Sequence, residues 1–82
     1  MHTVYILYSD KFNKTYVGLT SDLDARFKSH NELGTKGWTI KFRPWKIVHT
    51  ENFGSKTEAM TREKWFKTGV GRDYINREIL NR

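Results

Sequence analysis

An arginine, a histidine and a glutamate stand in helical stripes at positions that a folded chain normally gives to apolar side chains. The i, i+3, i+4 and i+7 positions of one helical face are occupied by Leu23, Arg26, Phe27 and His30. A second stripe, further along the chain, contains Glu63. A carboxylate on a packed helix face is usually paired or bound to a metal, because burying it alone is costly. These three polar groups are therefore candidates for chemistry.

The same residue types suit hydrolysis of a phosphodiester bond. That reaction needs a cation for the phosphoryl oxygens, a group that accepts a proton from water and, usually, a divalent metal near the leaving oxygen. Arg26 offers a planar guanidinium that clamps a phosphate, and Glu63 is a hard oxygen ligand for Mg²⁺ or Mn²⁺. His30 or a tyrosine can move the proton, although a tyrosine would need its pKa of about 10 lowered by nearby cations.

Each of these residues also has a purely structural interpretation. Arg26 and Glu63 can form a salt bridge between helices, and His30 near a helix C-terminus can complement the helix dipole. Tyr5 and Tyr16 can be ordinary core aromatics with satisfied hydroxyls. Taken singly, the residues do not decide between the two interpretations.

Three short segments rich in β-branched and aromatic residues predict strands. They are Val4–Tyr8, Thr15–Leu19 and Trp45–Thr50. The first two carry Tyr5 and Tyr16 and are joined by the polar turn Ser9–Lys14, so they predict a hairpin. Pro44 precedes the third strand, which suits a residue that cannot donate to a ladder.

Three further segments predict helices, at about Asp22–Asn31, Lys56–Thr68 and Arg72–Asn81, the second stopping at Gly69. Capping boxes precede the first two, formed by Ser21 with Asp24 and by Ser55 with Glu58. The order β-β-α-β-α-α predicts an α/β (α+β) fold, with a small three-stranded, mostly antiparallel sheet flanked by helices. A chain of 82 residues supports one modest core, so we expect a single domain over residues 1–82.

The charge balance indicates a polyanionic partner. Fifteen Lys and Arg residues against nine Asp and Glu residues give a formal net charge of +6. Nucleic acid is the commonest partner of such a basic domain, and a solvated basic surface is the plain alternative. Loop 32–43 combines basic residues with an aromatic one, which is typical of a functional loop. Its candidate nucleic-acid contacts are Lys36, Trp38, Lys41 and Arg43.

Cysteine usage and apolar runs exclude several classes of protein. The sequence has no cysteine, which rules out disulfides and thiolate metal sites. The longest apolar run near the N-terminus, Val4–Tyr8, is too short for a signal peptide or a membrane span. We therefore expect a soluble cytoplasmic protein with no membrane partner.

The ordered set of candidate residues resembles a known nuclease family. Val4-Tyr5-Ile6 in the first strand and Tyr16-Val17-Gly18 in the next strand are similar to the two halves of the GIY-YIG signature. Arg26 and His30 stand ten and fourteen positions after Tyr16, as in the first helix of that family. Glu63 lies in the segment that matches the family's metal-binding glutamate. The similarity runs over about residues 2–75 and points to small stand-alone bacterial members, similar to the nuclease domain of the excision-repair enzyme excinuclease ABC.

The resemblance implies a metal-dependent endonuclease that hydrolyses phosphodiester bonds in DNA, in repair or processing, with one Mg²⁺ or Mn²⁺ ion. It would place the metal on Glu63 and the phosphate on Arg26. Tyr16 would orient or deprotonate the attacking water. Tyr5 would contact the scissile phosphate or help to position that water, and His30 takes a site that other members fill with histidine or tyrosine.

A few positions need separate comment within this resemblance. Gly18 would be a structural member of the motif, although a glycine there can also mark a bulge. Val4 replaces the glycine of the first tripeptide, where a side chain need only pack in a strand. Leu19 stands where the excision-repair relatives have a lysine, which removes one cation from the phosphate side. Asn76 is a candidate counterpart of an asparagine that follows the glutamate helix in those relatives.

Two rival functions stay open. A nucleic-acid-binding module on the same scaffold would use loop 32–43 without useful catalysis, and a protein-interaction adaptor would present exposed tryptophans to another chain. DNA is the expected substrate, with RNA as the alternative. Nucleases of the family usually owe target choice to an additional DNA-binding domain, so a separate targeting protein is an expected partner of this chain. The sequence indicates no oligomeric state.

Overall fold

A computed structural model describes residues 1–35 and 37–82 and centres on a three-stranded antiparallel sheet. The strand β1 (His2–Ser9) lies between β2 (Lys14–Thr20) and β3 (Lys46–Phe53). Both pairings are antiparallel, and the register places Tyr5 opposite Gly18. The predicted fold class and all three strands are confirmed. The third strand begins one residue later than predicted and runs to Phe53 rather than to Thr50 because its pairing with β1 continues to that residue.

The segment between β2 and β3 forms the helix α1 (Leu23–Lys28), which continues through a π-helical turn (Ser29–Leu33). A separate 3₁₀ helix (Trp38–Phe42) lies in the loop for which no element was predicted. The predicted capping box of α1 is wrong by one residue. The helix is capped by Asp22, whose carboxylate accepts a hydrogen bond from the backbone N–H of Ala25 at 3.2 Å.

The helix α2 (Lys56–Phe66) follows β3 and packs against the sheet. Its predicted N-terminus is confirmed, since the Ser55 hydroxyl accepts a hydrogen bond from the Glu58 backbone N–H at 3.4 Å. A charged contact fastens α2 to β3: the Arg62 guanidinium donates to both carboxylate oxygens of Glu51, at 2.8 and 3.2 Å. Such a two-point contact fixes the helix on the sheet in one register.

The last helix, α3 (Gly69–Tyr74), continues through a π-helical turn at residues 75–79. It begins three residues earlier than predicted because Thr68 caps it, accepting a hydrogen bond from the Gly71 backbone N–H at 3.1 Å. A Cβ atom on Gly71 would lie 2.0 Å from the Trp65 carbonyl oxygen, so only glycine lets α3 turn this tightly onto α2. No helix within residues 1–35 and 37–82 combines the length and the apolar character needed to cross a lipid bilayer.

The strand β1 supplies a core to each face of the sheet, because successive side chains of a strand point in opposite directions. Val4 and Ile6 are fully buried under the C-terminal helices, together with Phe66. On the other face, Tyr5 packs with Trp45 on the side of α1 and the 3₁₀ helix. Burying each such side chain contributes about 1.5–3 kcal/mol. The tyrosine of the first strand is therefore held by a packed face.

Candidate active site

Gly18 makes room for the buried ring of Tyr5. The two residues are directly opposed in the hairpin, and Tyr5 is only 1% exposed. A Cβ atom on Gly18 would lie 2.3 Å from the Tyr5 hydroxyl oxygen and 2.4 Å from its ring Cζ atom. The register between β1 and β2 runs unbroken through this pair, so Gly18 does not mark a bulge. A larger residue at position 18 would displace Tyr5.

A chain of hydrogen bonds leads from Tyr5 through His30 to the 3₁₀ helix. Tyr5 Oη and His30 Nε2 share a hydrogen bond of 2.9 Å, and His30 Nδ1 shares one of 3.0 Å with Thr39 Oγ1. The indole N–H of Trp45 donates to the Thr39 carbonyl oxygen at 2.7 Å and so fixes the threonine. Because both ring nitrogens of His30 have partners, the imidazole is held in one orientation.

The surroundings keep both Tyr5 and His30 neutral near pH 7. Burial raises the pKa of Tyr5 to about 12, and the Arg26 guanidinium offsets only part of that rise. Burial also lowers the pKa of His30 from its ordinary value, and the positive charges of Arg26 and Arg43 act in the same direction. Tyr5 is therefore a hydroxyl that donates hydrogen bonds rather than a phenolate base.

Tyr16 and Arg26 connect this buried chain to solvent. The ring centroid of Tyr16 lies 4.7 Å from that of His30 and 6.2 Å from that of Tyr5. Arg26 is exposed, and together with Tyr16 and His30 it lines an open cleft of about 350 Å³. A guanidinium, a phenol and an imidazole in one cleft form a site suited to an anion such as a phosphate.

Glu63 approaches this region from α2. Its side chain is 21% exposed, and the Lys67 ammonium donates to Glu63 Oε2 at 3.3 Å from one helical turn away. The negative charge of Glu63 is close enough to Tyr5 to contribute to the raised pKa of that hydroxyl. The alternative of an Arg26–Glu63 salt bridge is not formed, because the ion pair of Glu63 is with Lys67.

The fit of a divalent metal depends on this single carboxylate. Within residues 1–35 and 37–82, no three His, Cys, Asp or Glu side chains come together as a metal cage. Mg²⁺ does not need such a cage, because it commonly binds one or two carboxylates and keeps several waters. Glu63, partly exposed and paired with a lysine that is itself exposed, fits that kind of site.

The residues predicted to contact nucleic acid lie in different surroundings. Trp38 is 46% exposed beside Tyr16, with ring centroids 6.5 Å apart, and Lys41 is exposed. Arg43 points inward, where its guanidinium donates to the carbonyl oxygens of Ser29, His30 and Gly34. It thus fastens the end of the first helical segment. Lys36 lies outside the described residues.

Asn76 lies away from the cleft, and two other residues belong to the site although the sequence stripes did not indicate them. The Asn76 side-chain oxygen accepts hydrogen bonds from Arg82 at 3.3 and 3.1 Å. Thr39 orients His30, and a hydroxyl inside a functional loop was the available signal. Lys67 pairs with Glu63, and its position four residues later on one helix was a signal of that contact.

Comparison with known sequences relates the chain to one family. Residues 1–76 match the family model described as the GIY-YIG catalytic domain. The chain is 42% identical over 67 residues to a UPF0213 protein of Staphylococcus haemolyticus, covering 82% of this chain and 80% of that protein. It is 41% identical over 66 residues to a UPF0213 protein of Bacillus velezensis, covering 80% of this chain and 66% of the relative's length.

A solved structure shows the same likeness. The solution NMR structure of a UPF0213 protein from Bacillus halodurans matches with a TM-score of 0.55 at 32% identity, covering 92% of this chain and 81% of that one. The family match over residues 1–76 takes in both tyrosine strands, α1 and α2. The side chains that meet around the cleft therefore all fall inside the matched region, and the chain belongs to the GIY-YIG catalytic-domain family, a family of nuclease domains.

Proposed function

We propose that this chain is a divalent-metal-dependent endonuclease that hydrolyses phosphodiester bonds in DNA. The observation that carries the proposal is the arrangement of Tyr16, Arg26 and His30 around one open cleft, with Tyr5 bonded to His30 beneath it. Glu63 acts electrostatically on that same tyrosine. A cation, ordered hydroxyls and a metal-ligating carboxylate are the groups that phosphodiester hydrolysis needs.

Arg26 binds the scissile phosphate. Its guanidinium is exposed at the cleft and acts on the Tyr5 hydroxyl, so two donors face the same anion. Donors held in place before the reaction stabilise the charge that builds up on the phosphoryl oxygens. Loss of one such donor in a hydrolase costs about 3 kcal/mol, a factor of roughly 100–1,000 in rate.

Tyr16 orients the attacking water and accepts its proton. It lines the open cleft, whereas Tyr5 is buried and stays protonated because its pKa is raised to about 12. His30 holds the Tyr5 hydroxyl in place through their 2.9 Å hydrogen bond. The two tyrosines therefore have different tasks, one at the water and the other as a fixed donor.

Glu63 holds the divalent ion, Mg²⁺ or Mn²⁺, after its carboxylate has exchanged Lys67 for the metal. When bound, the ion polarises the phosphate and stabilises the leaving oxygen. A surface ion pair between residues four apart on a helix is worth only about 0.3–0.5 kcal/mol, so that exchange has a small cost. We place this activity in the cytoplasm, in the repair or processing of DNA.

The proposal is tested by incubating supercoiled and branched DNA with the protein and Mg²⁺ or Mn²⁺, with an RNA of the same sequence as a second substrate. We expect nicking that EDTA abolishes and that Arg26→Ala and Glu63→Ala both remove. Cleavage that survives either substitution would indicate a contaminating nuclease and refute the assignment. Cleavage of RNA alone would replace DNA as the substrate and leave the site as proposed.

A nucleic-acid-binding module without catalysis is the second candidate. The Glu63–Lys67 ion pair favours it, because the lysine occupies the carboxylate that would hold a metal. This candidate predicts binding that weakens steeply with salt, since each phosphate contact contributes about 0.9 to the salt slope. It also predicts that no DNA is cut with any divalent ion.

A further inference from the structure

A groove runs along the outer edge of β2, beside the candidate active site. The strand is an edge strand of the sheet, and the groove between it and the C-terminal helices has a volume of about 590 Å³. Its floor includes the buried ring of Phe66, and its walls include the aromatic rings of Tyr16 and Trp38. None of the sequence patterns singled out this part of the surface.

Three cations line the groove, and the described residues that line it include no acidic side chain. Lys14 comes from β2, Lys67 from the end of α2 and Arg72 from α3, and all three are exposed. The Lys14 ammonium lies 5.5 Å from the ring centroid of Phe42, a cation–π contact that holds it at the groove wall. Like charges gathered from three separate elements attract a polyanion.

The groove is continuous with the active-site cleft. Tyr16 and Trp38 line both, so the two concavities share one wall. Lys67 also joins them, because its ammonium lies 3.3 Å from Glu63 Oε2. A strand whose phosphate sits at Arg26 therefore has a path along which its neighbouring phosphates meet positive charge.

We propose that this groove binds the phosphodiester backbone flanking the scissile phosphate, with Lys14, Lys67 and Arg72 as its phosphate contacts. The identity of the polyanion rests on the nuclease function proposed above. The groove is better suited to this task than Arg43 of loop 32–43, whose guanidinium is already bonded to three backbone carbonyl oxygens. The main phosphate contacts thus lie along the edge of β2.

The test measures binding of a short fluorescein-labelled DNA duplex, and of its single strand, to the full chain in EDTA over a range of salt concentrations. The groove variant is the double substitution Lys14→Gln with Arg72→Gln, which leaves Glu63 and Lys67 intact. Its salt slope should be lower than that of the wild type by roughly 2 for the duplex, since each lost contact removes about 0.9. Lys14→Arg with Arg72→Lys keeps both charges and should keep the slope.

The matched control removes two cations elsewhere on the surface, Lys46→Gln with Arg77→Gln. In the folded chain these pair with Asp10 and Asp73, and Lys46 lies on the opposite edge strand. An equal slope change in groove and control variants would mean that only net charge matters and would overturn the proposal. So would an unchanged slope in the groove variant, or wild-type protein that binds neither DNA at low salt.

Cleavage assays separate failure of the groove from failure of the nuclease function. If the wild type cuts DNA and the groove variant binds and cuts it equally well, the groove is wrong and the nuclease function stands. If the groove variant loses its salt slope while the wild type cuts nothing with Mg²⁺ or Mn²⁺, the groove stands and the nuclease function is wrong.

Discussion

Gly18→Ala is the substitution whose effect follows most directly from the geometry. The new Cβ atom would lie 2.3 Å from the Tyr5 hydroxyl oxygen and 2.8 Å from a ring carbon, and Tyr5 is 1% exposed with no free space to enter. The ring must therefore move or the two strands must separate. Either response breaks the 2.9 Å hydrogen bond between Tyr5 and His30.

The cost of Gly18→Ala combines two terms. Overpacking a well-filled core costs about 1–3 kcal/mol, and losing the Tyr5–His30 hydrogen bond costs roughly 1 kcal/mol, so we expect a loss of about 2–4 kcal/mol. For a domain of this size, each kcal/mol corresponds to about 4–8 °C, so Tm should fall by roughly 8–30 °C. Cleavage should fall as well, because the displaced Tyr5 no longer faces the phosphate.

Urea and thermal unfolding followed by circular dichroism measure this loss. Gly54→Ala is the control, because a Cβ atom there meets nothing within 4 Å, and we expect its stability to stay within about 0.5 kcal/mol of the wild type. Tyr5→Leu should remove the clash, so the double variant with Gly18→Ala should show a coupling energy of about 1–3 kcal/mol. A Gly18→Ala protein as stable as Gly54→Ala would refute the reasoning.

Three further predictions concern single side chains. Glu51→Gln should lower stability by about 1–3 kcal/mol in urea unfolding, because it weakens a charge-assisted contact with Arg62. Although burial alone would raise it, the Arg62 and His49 contacts hold the pKa of Glu51 below 4.5, so the part of the stability that this variant lacks is present above that pH and is lost as the pH falls through the lowered pKa. The pKa of His30 is lowered from 6.5 by burial, so the stability associated with its neutral form is complete above pH 6.5 and is lost below it; a His30→Gln variant that loses as much stability as the wild type over that range would contradict this. Trp38→Ala should weaken binding of single-stranded DNA by about 1–3 kcal/mol while Trp38→Phe keeps most of it, because the half-exposed indole offers a stacking surface; equal affinities in a fluorescence titration would rule that out.

Short-range patterns predicted the sheet and the polar stripe of α1. The β-branched and aromatic runs around Tyr5 and Tyr16 have the length and composition of strands, and the polar turn between them leaves little choice but a hairpin. Helical spacing likewise put Arg26 and His30 on one face, and both line the cleft. These features depend on neighbours in sequence, which is why the sequence alone predicts them.

Features that depend on distant contacts were missed. The 3₁₀ helix that carries Thr39 is held by the Trp45 indole and by packing against the sheet face, and no periodicity announces it. Arg43 has the charge of a nucleic-acid contact, but its neighbours in the fold are carbonyl oxygens at the end of a helical segment. The groove cations come from β2, α2 and α3 and meet only after folding.

The shift in the start of α3 has a local cause that the sequence contained. Thr68 was assigned to the end of α2, but its hydroxyl is better used as a cap for the next helix, where it accepts from the Gly71 backbone N–H. Two glycines in the first turn of α3 masked that helix, because glycine has low helix propensity. At Gly71, the close approach to the Trp65 carbonyl outweighs that propensity.

The central claim, that Glu63 holds the metal of a phosphodiester hydrolase, is tested most directly by single-turnover cleavage of labelled DNA with saturating Mn²⁺. Glu63→Gln is compared with Glu58→Gln, an exposed glutamate on the same helix, and both proteins are first shown to be folded. We predict that Glu63→Gln loses at least about a hundredfold in rate, as expected for a lost metal or charge-stabilising group, while Glu58→Gln cuts like the wild type. Equal rates for the two variants would contradict the account.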